Sequence, residues 1–293
     1  MPWYRSVILL CCALTLTACA TTAPPGTQPL QRPAKVALVL GAGASKGFAH
    51  VGVIKVLESQ NIPVQMVVGT SAGSFVGSLY AAGYNGYALQ DLAMKLQKKE
   101  VAELTIPDNG FIKGERLRDF INDKVRNQPI EKLKLPFFAV ATDIRTGKET
   151  VFNTGNTGMA VQASAAVPGI YQPARFSGTS YVDGGLVNPV AVDVARRYGA
   201  DLVIAVDITY GVENSIPTGT METIMKSFEI MYHKIAQTPV GQADVVIKPQ
   251  VGFMGAADFD KRHEAILAGE KAAWEAMPAI LEKVNRLRQE GRL

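Results

Sequence analysis

The pentapeptide Gly69-Thr70-Ser71-Ala72-Gly73 directly follows the apolar run Val64-Gln65-Met66-Val67-Val68 and precedes a helical pattern rich in small residues, with Ala72, Ser74, Gly77 and Ser78. Strand, sharp turn and helix in that order leave few folds open. The serine must sit in a strained turn with its hydroxyl exposed, so its neighbours cannot carry side chains that collide with strand or helix. Gly69 and Gly73 supply that room. The first N–H groups of the following helix have no partner within it, and they point to where negative charge develops in acyl transfer. Ser71 is therefore a candidate nucleophile, with Ala72 a candidate oxyanion donor.

The flanking elements extend this unit. Val36-Ala37-Leu38-Val39-Leu40 reads as a buried strand ending in Gly41. His50, Val53, Ile54 and Leu57 recur at helical spacing until Asn61-Ile62-Pro63 stops the helix. Strand, helix, strand (64–68), elbow and a helix ending near Gly83 predict a right-handed parallel α/β unit. Helices are expected over about 87–100 and 115–127, strands over 136–142, 201–207 and 244–247, and a helical carboxyl-terminal part from Arg262 that breaks or restarts at Pro278.

The turn after the first strand, Gly41-Ala42-Gly43-Ala44-Ser45-Lys46-Gly47, opens a helix. A dinucleotide fingerprint has different glycine spacing and needs an acidic residue where Ser71 stands, and no Gly-Lys-Ser/Thr follows for a phosphate loop. No cofactor is expected. The alternative is a loop that offers backbone N–H groups to an oxyanion, with Gly43 and Ala44 as donors beside Ala72. Lys46 is either an electrostatic catalyst or, more plainly, a residue that holds the loop by bonding carbonyls.

A serine nucleophile needs a base. His233 lies within a helical pattern that includes Ile224, Phe228, Met231 and Ile235, His263 stands at a helix start, and His50 falls on the first helix, so none is a late loop-borne histidine. Asp183, in Tyr181-Val182-Asp183-Gly184-Gly185, is the better candidate, because the glycine pair lets a strand tip bend close to another loop. Burial there raises a carboxyl pKa and helps it accept a proton near neutrality. An ordinary Asp-Gly-Gly turn is the competing reading. Asp143 and Asp207 also follow strands but lack the glycines.

Three separated segments carry a resemblance: the glycine loop with Lys46-Gly47, Gly69 to Gly73 around Ser71, and Asp183-Gly184-Gly185. Ala141-Thr142-Asp143 and Ala163-Ser164-Ala165-Ala166-Val167-Pro168-Gly169 accompany them. From about residue 36 to 208 the chain resembles bacterial patatin-like phospholipases. The resemblance implies a Ser71–Asp183 catalytic dyad without histidine in a three-layer α/β/α fold with a mainly parallel central sheet. It also implies a calcium-independent lipid acyl hydrolase, with no metal, acting on membrane phospholipid or lysophospholipid. Most members have three glycines where this chain has Ala42-Gly43-Ala44, which keeps the oxyanion amide at Ala44 provided that its φ is negative. An esterase using His233 or His263, a non-catalytic lipid-binding lipoprotein, and a hydrolase of soluble esters or thioesters are the competing functions.

Residues 1–18 have a positive start at Arg5 and an apolar centre too short to span a bilayer, as an export signal does. Leu16-Thr17-Ala18-Cys19 resembles the lipobox of bacterial lipoproteins, which implies cleavage before Cys19 and a diacylglyceryl anchor on its thiol. The three cysteines are Cys11, Cys12 and Cys19, so the mature chain would hold no internal disulfide. Pro24, Pro25, Pro29 and Pro33 make 19–34 a tether before a domain at 35–293. Ala20 is not the inner-membrane retention aspartate of enteric bacteria, which favours the outer membrane. A net charge of +4 without a long Lys/Arg block gives nucleic-acid binding no support.

Overall fold

All five side chains of Val36–Leu40 (β1) are buried, as a strand covered on both faces requires. The computed structural model describes residues 32–106, 109–209 and 216–293; the expected signal segment and Cys19 lie outside them. After β1 come α1 (Phe48–Ser59), β2 (Met66–Thr70), α2 (Ala72–Ala82), α3 (Gly86–Lys95), α4 (Lys98–Val101), β3 (Glu103–Leu104), β4 (Ile112–Lys113) and α5 (Glu115–Lys124). The chain continues through β5 (Phe137–Asp143), β6 (Glu149–Phe152), α6 (Thr157–Ser164), β7 (Ala174–Phe176) and β8 (Thr179–Asp183). It closes with α7 (Val192–Arg197), β9 (Leu202–Val206), α8 (Thr220–Val240), β10 (Val245–Ile247) and α9 (Arg262–Gln289).

The main sheet has eight strands in the order β10-β9-β1-β2-β5-β8-β7, with β6 also paired to β5. From β10 to β5 every pairing is parallel, and β6, β7 and β8 add antiparallel pairs at one side. Alternate residues of each strand serve opposite layers. Leu38, Val67, Phe137 and Ile204 pack with α1, α2 and α9, whereas Val39, Val68, Phe138 and Val203 pack with α7 and the end of α8. The result is a three-layer α/β/α fold with a mainly parallel central sheet, and the Ser71 turn lies at the carboxyl end of β2, where ligand sites of such sheets form.

Several boundaries differ from the sequence expectations, each for a local reason. β2 runs two residues later than the 64–68 expectation, since Gly69 is in register with Leu40 on one side and Ala139 on the other. The helix expected over 87–100 is two helices: Leu96 turns extended, and Glu100 accepts the Gln97 N–H to start α4. Pro278 neither breaks nor restarts α9. A proline inside a helix costs about 3 kcal/mol, and the buried stripe of Ala273, Met277, Ile280 and Val284 on both sides of it outweighs that loss. Ala34, which the sequence expectation placed outside the folded domain, is buried and its N–H donates to the Arg292 carbonyl.

α1 and α9 meet at glycines. A Cβ on Gly52 would stand 2.0 Å from the Ile266 carbonyl oxygen, and one on Gly269 would stand 2.0 Å from that of Ala49. Alanine is the better helix former, yet here it must push two backbones apart. Gly269→Ala should therefore destabilise the protein by about 2 kcal/mol, read as a lower denaturation midpoint in urea with an unchanged slope.

Candidate active site

Ser71 has φ 55° and ψ −119°, outside the ordinary range for a residue with a side chain. Backbone crowding fixes it there. A Cβ on Gly73 would lie 1.9 Å from the Leu40 carbonyl oxygen, and one on Gly69 would lie 2.5 Å from that of Gly73. The Ser71 N–H donates to Ser164 Oγ at 2.9 Å, and Ser164 Oγ donates in turn to the Val140 carbonyl at 2.6 Å. Ser164 belongs to the 163–169 segment noted in the sequence, but nothing in its spacing reveals that it clamps the serine backbone.

The structure brings Ser71 and Asp183 together. Ser71 Oγ donates to Asp183 Oδ2 at 2.5 Å, and the Gly185 N–H donates to Oδ1 at 2.7 Å. A Cβ on Gly184 would meet the Val140 carbonyl oxygen at 2.1 Å, so the strand tip can turn there only as glycine. Thr142 Oγ1 donates to the Asp183 carbonyl at 2.9 Å and ties this turn to β5. Asp183 is completely buried. Burial pushes its carboxyl up from 3.8 to about 6, against the Ser71, Gly185 and, more weakly, Tyr232 donors that pull it down. Such a group can take the serine proton near neutral pH. Asp143 and Asp207 instead accept hydrogen bonds within their own turns, from Arg145 and Thr209.

None of the three histidines lines a chamber beside Ser71. His50 is buried and its Nε2–H donates to the Gly41 carbonyl at 2.9 Å; burial holds its pKa down at about 4, so it stays neutral. It steadies the glycine loop. The amides of Gly43, Ala44 and Ala72 take part in none of the turn, loop or cap hydrogen bonds found among the described residues, and Gly43 and Ala44 line a chamber with Ser71. Ala44 has φ 49°, not the negative value expected of it. Left-handed alanine is strained by about 1–2 kcal/mol, but this conformation still leaves the Ala44 N–H without a backbone acceptor among the described residues, so a negative φ is not needed for it to serve as a donor. Gly47 closes against Ala72, whose Cβ would lie 2.7 Å from a Cβ placed there, and Gly41 lies under the Val206 carbonyl.

Ser71 stands at the meeting of two chambers. One, of about 480 Å³, is apolar and is lined by Phe48, Phe75, Leu92, Leu117, Ile170 and Phe259 among others. The other, of about 430 Å³, holds Lys46, Lys226, Glu229 and Tyr232. Among the described residues Lys46 does not bond loop carbonyls, the plainer of the two roles the sequence offered. Its Nζ pairs with Glu229 on α8, and Lys226 Nζ lies 3.0 Å from the other Glu229 oxygen. A buried ammonium needs a carboxylate more than it needs a carbonyl. From the helical pattern around His233, Phe228 faces this chamber, and Met254 lines it from the loop before α9.

A family model for patatin-like phospholipases matches residues 38–196. The chain belongs to the patatin-like phospholipase family. Among the similar curated proteins is an uncharacterized NTE family protein of Mycobacterium tuberculosis, 35% identical over 178 residues, which are 59% of this chain and 49% of that protein. Patatin-like phospholipase domain-containing protein 6 of Homo sapiens is 35% identical over 191 residues, 62% of this chain and 14% of that one. Lysophospholipase NTE1 of Debaryomyces hansenii is 31% identical over 205 residues, 68% and 13% respectively. The chain thus spans about half the mycobacterial relative's length and far less of the eukaryotic ones. Among solved structures, VipD of Legionella pneumophila aligns at TM-score 0.48 and 13% identity, over 85% of this patatin-like chain and 67% of that chain.

The raised carboxyl gives a stability signature. The folded state binds the Asp183 proton more tightly than the unfolded state, so this group's contribution falls as pH rises from about 4 through about 6. Asp183→Asn should therefore be more stable than the parent at pH 8, by about 3 kcal/mol, with the gap closing toward pH 4. Urea unfolding at the two pH values reads it.

Proposed function

We propose that this chain is a serine acyl hydrolase that releases fatty acid from phospholipids or lysophospholipids. The observation that carries the reading is the position of Ser71 between an apolar and a charged chamber. An acyl chain in the apolar chamber gains about 0.8 kcal/mol for each buried CH₂. A zwitterionic head group in the other meets both signs of charge, the Lys46 and Lys226 ammonium groups and the Glu222, Glu229 and Asp258 carboxylates. Family membership and the similarity to a lysophospholipase support the same substrate class.

In the proposed reaction Asp183 Oδ2 accepts the Ser71 proton as Oγ attacks the ester carbonyl carbon. The amides of Gly43, Ala44 and Ala72 hold the tetrahedral oxyanion, each donor contributing on the order of 3 kcal/mol to the barrier reduction. The C–O bond to the alcohol then breaks, and the alcohol leaves with the proton from Asp183. Water releases the acyl group from Ser71 in a second round of the same proton transfers. We also propose that Cys19 is lipidated, on the Leu16-Thr17-Ala18-Cys19 pattern alone, and that Ala20 in place of a retention aspartate directs the enzyme to the outer membrane.

Fatty-acid release from a panel of phospholipids, lysophospholipids and p-nitrophenyl esters tests the reading. Ser71→Ala and Asp183→Asn should each lose at least about 10³-fold in kcat, and the parent's acid limb should lie near pH 6. Lys226→Ala should lower kcat/KM on a lysophospholipid on the order of tenfold more than on an uncharged ester. A folded parent that releases nothing from any substrate would leave the lipid-binding alternative. In cells, radiolabelled palmitate should enter the parent chain and not Cys19→Ser.

A further inference from the structure

α8 brings to the site a hydroxyl that the dyad chemistry leaves unused. Tyr232 is 7% exposed. Its ring packs beside Gly185, where a Cβ would stand 2.5 Å from two ring carbons, and it lines the charged chamber with Ser71. The hydroxyl faces the Asp183 carboxylate closely enough to feel its charge and to act on it as a weak donor, yet it is buried and no hydrogen bond of full geometry reaches it among the described residues. A phenylalanine would fill this space equally well. An unpartnered buried hydroxyl is unfavourable, so its oxygen calls for a use in another state of the site.

Acylation creates that state. At rest Asp183 accepts from Ser71 Oγ and from the Gly185 N–H. Once Oγ carries an acyl group it has no proton to give, and a fully buried carboxylate keeps one donor just when it must accept a proton from water. We propose that Tyr232 is a positioning residue for deacylation: its hydroxyl turns to donate to Asp183 in the acyl-enzyme, replaces the donor lost from Ser71, and holds the carboxylate ionised and aimed at the hydrolytic water. This inference rests on the hydrolase reading above. The water oxygen bonds to the acyl carbon while one of its protons passes to Asp183; the carbon–Oγ bond then breaks, Asp183 returns the proton to Oγ, and fatty acid leaves. Tyr232 keeps its own proton throughout, because burial and the nearby carboxylate hold the phenol well above its usual range.

The groups around Asp183 make this donor hard to replace. Ser71 faces it from the β2–α2 turn, the Gly185 amide from its own turn and Tyr232 from α8, while Thr142 of β5 bonds only its main-chain carbonyl. Lys46, Lys226 and Glu229 share the chamber but are engaged with one another.

The test follows p-nitrophenol release by the parent, Tyr232→Phe and Ser71→Ala, with intact sites counted by fluorophosphonate labelling so that any unfolded fraction drops out. In Tyr232→Phe the steady-state rate per site should fall on the order of tenfold while the first turnover slows much less. Mass spectrometry should then find Ser71 acylated in the steady state, and the acid limb should move to higher pH because a lost donor raises the carboxyl. First turnover and steady state falling together, or neither changing, overturns the role of Tyr232 alone. A parent without Ser71-dependent release overturns the hydrolase reading and this inference with it.

Discussion

The contact between the Gly73 backbone and the Leu40 carbonyl is the constraint on which the rest of the site depends. A side chain at position 73 would require the two to separate by more than an ångström, which the parallel pairing of β1 with β2 does not permit. With α2 pressed against the end of β1, the connecting residue has no ordinary conformation available, and Ser71 takes positive φ. The strain is over-determined by its surroundings, as strain at functional sites is. Ser164 and Thr142 complete the frame, one bonding the serine's backbone and the other the aspartate's, and Ser164 and Thr142 both act through the β5 region that separates the two turns.

Much of this frame was legible because it repeats simple rules. The apolar runs of β1, β5, β9 and β10 leave little choice but a buried parallel sheet, and each glycine of the elbow and of Gly184-Gly185 marks a real backbone collision. The pairing of Ser71 with Asp183 was legible only as an ordered set of motifs, since 112 positions separate the two residues. β6 and β7 escaped notice because they are short, half-exposed edge elements without an apolar signature. Tyr232 escaped for another reason: on a helical stripe with Phe228 and Ile235 it reads as core, and its value lies in what stands across the chamber. Ala44 inverted an expectation, because a residue type that disfavours positive φ adopts it where the surrounding loop leaves no alternative.

The two chambers differ in how they hold their character. The apolar one needs only packing, drawn from α1, α2, α3, α5 and the loop around Phe259. The charged one is built on a shared carboxylate, with Glu229 between Lys46 of the glycine loop and Lys226 of its own helix. That arrangement couples α8 to the oxyanion loop, so the helix that carries Tyr232 is also clamped to the element that supplies Gly43 and Ala44. In the reaction proposed above, charge stabilisation and proton transfer would therefore share a single helix as their common support.

The buried Ala34, bonded to Arg292, has a geometric consequence. It precedes β1, at the amino ends of the parallel strands, while Ser71 follows β2 at their carboxyl ends. The chain thus enters the folded unit on the side of the sheet away from the nucleophile, about 17 Å of strand length behind it.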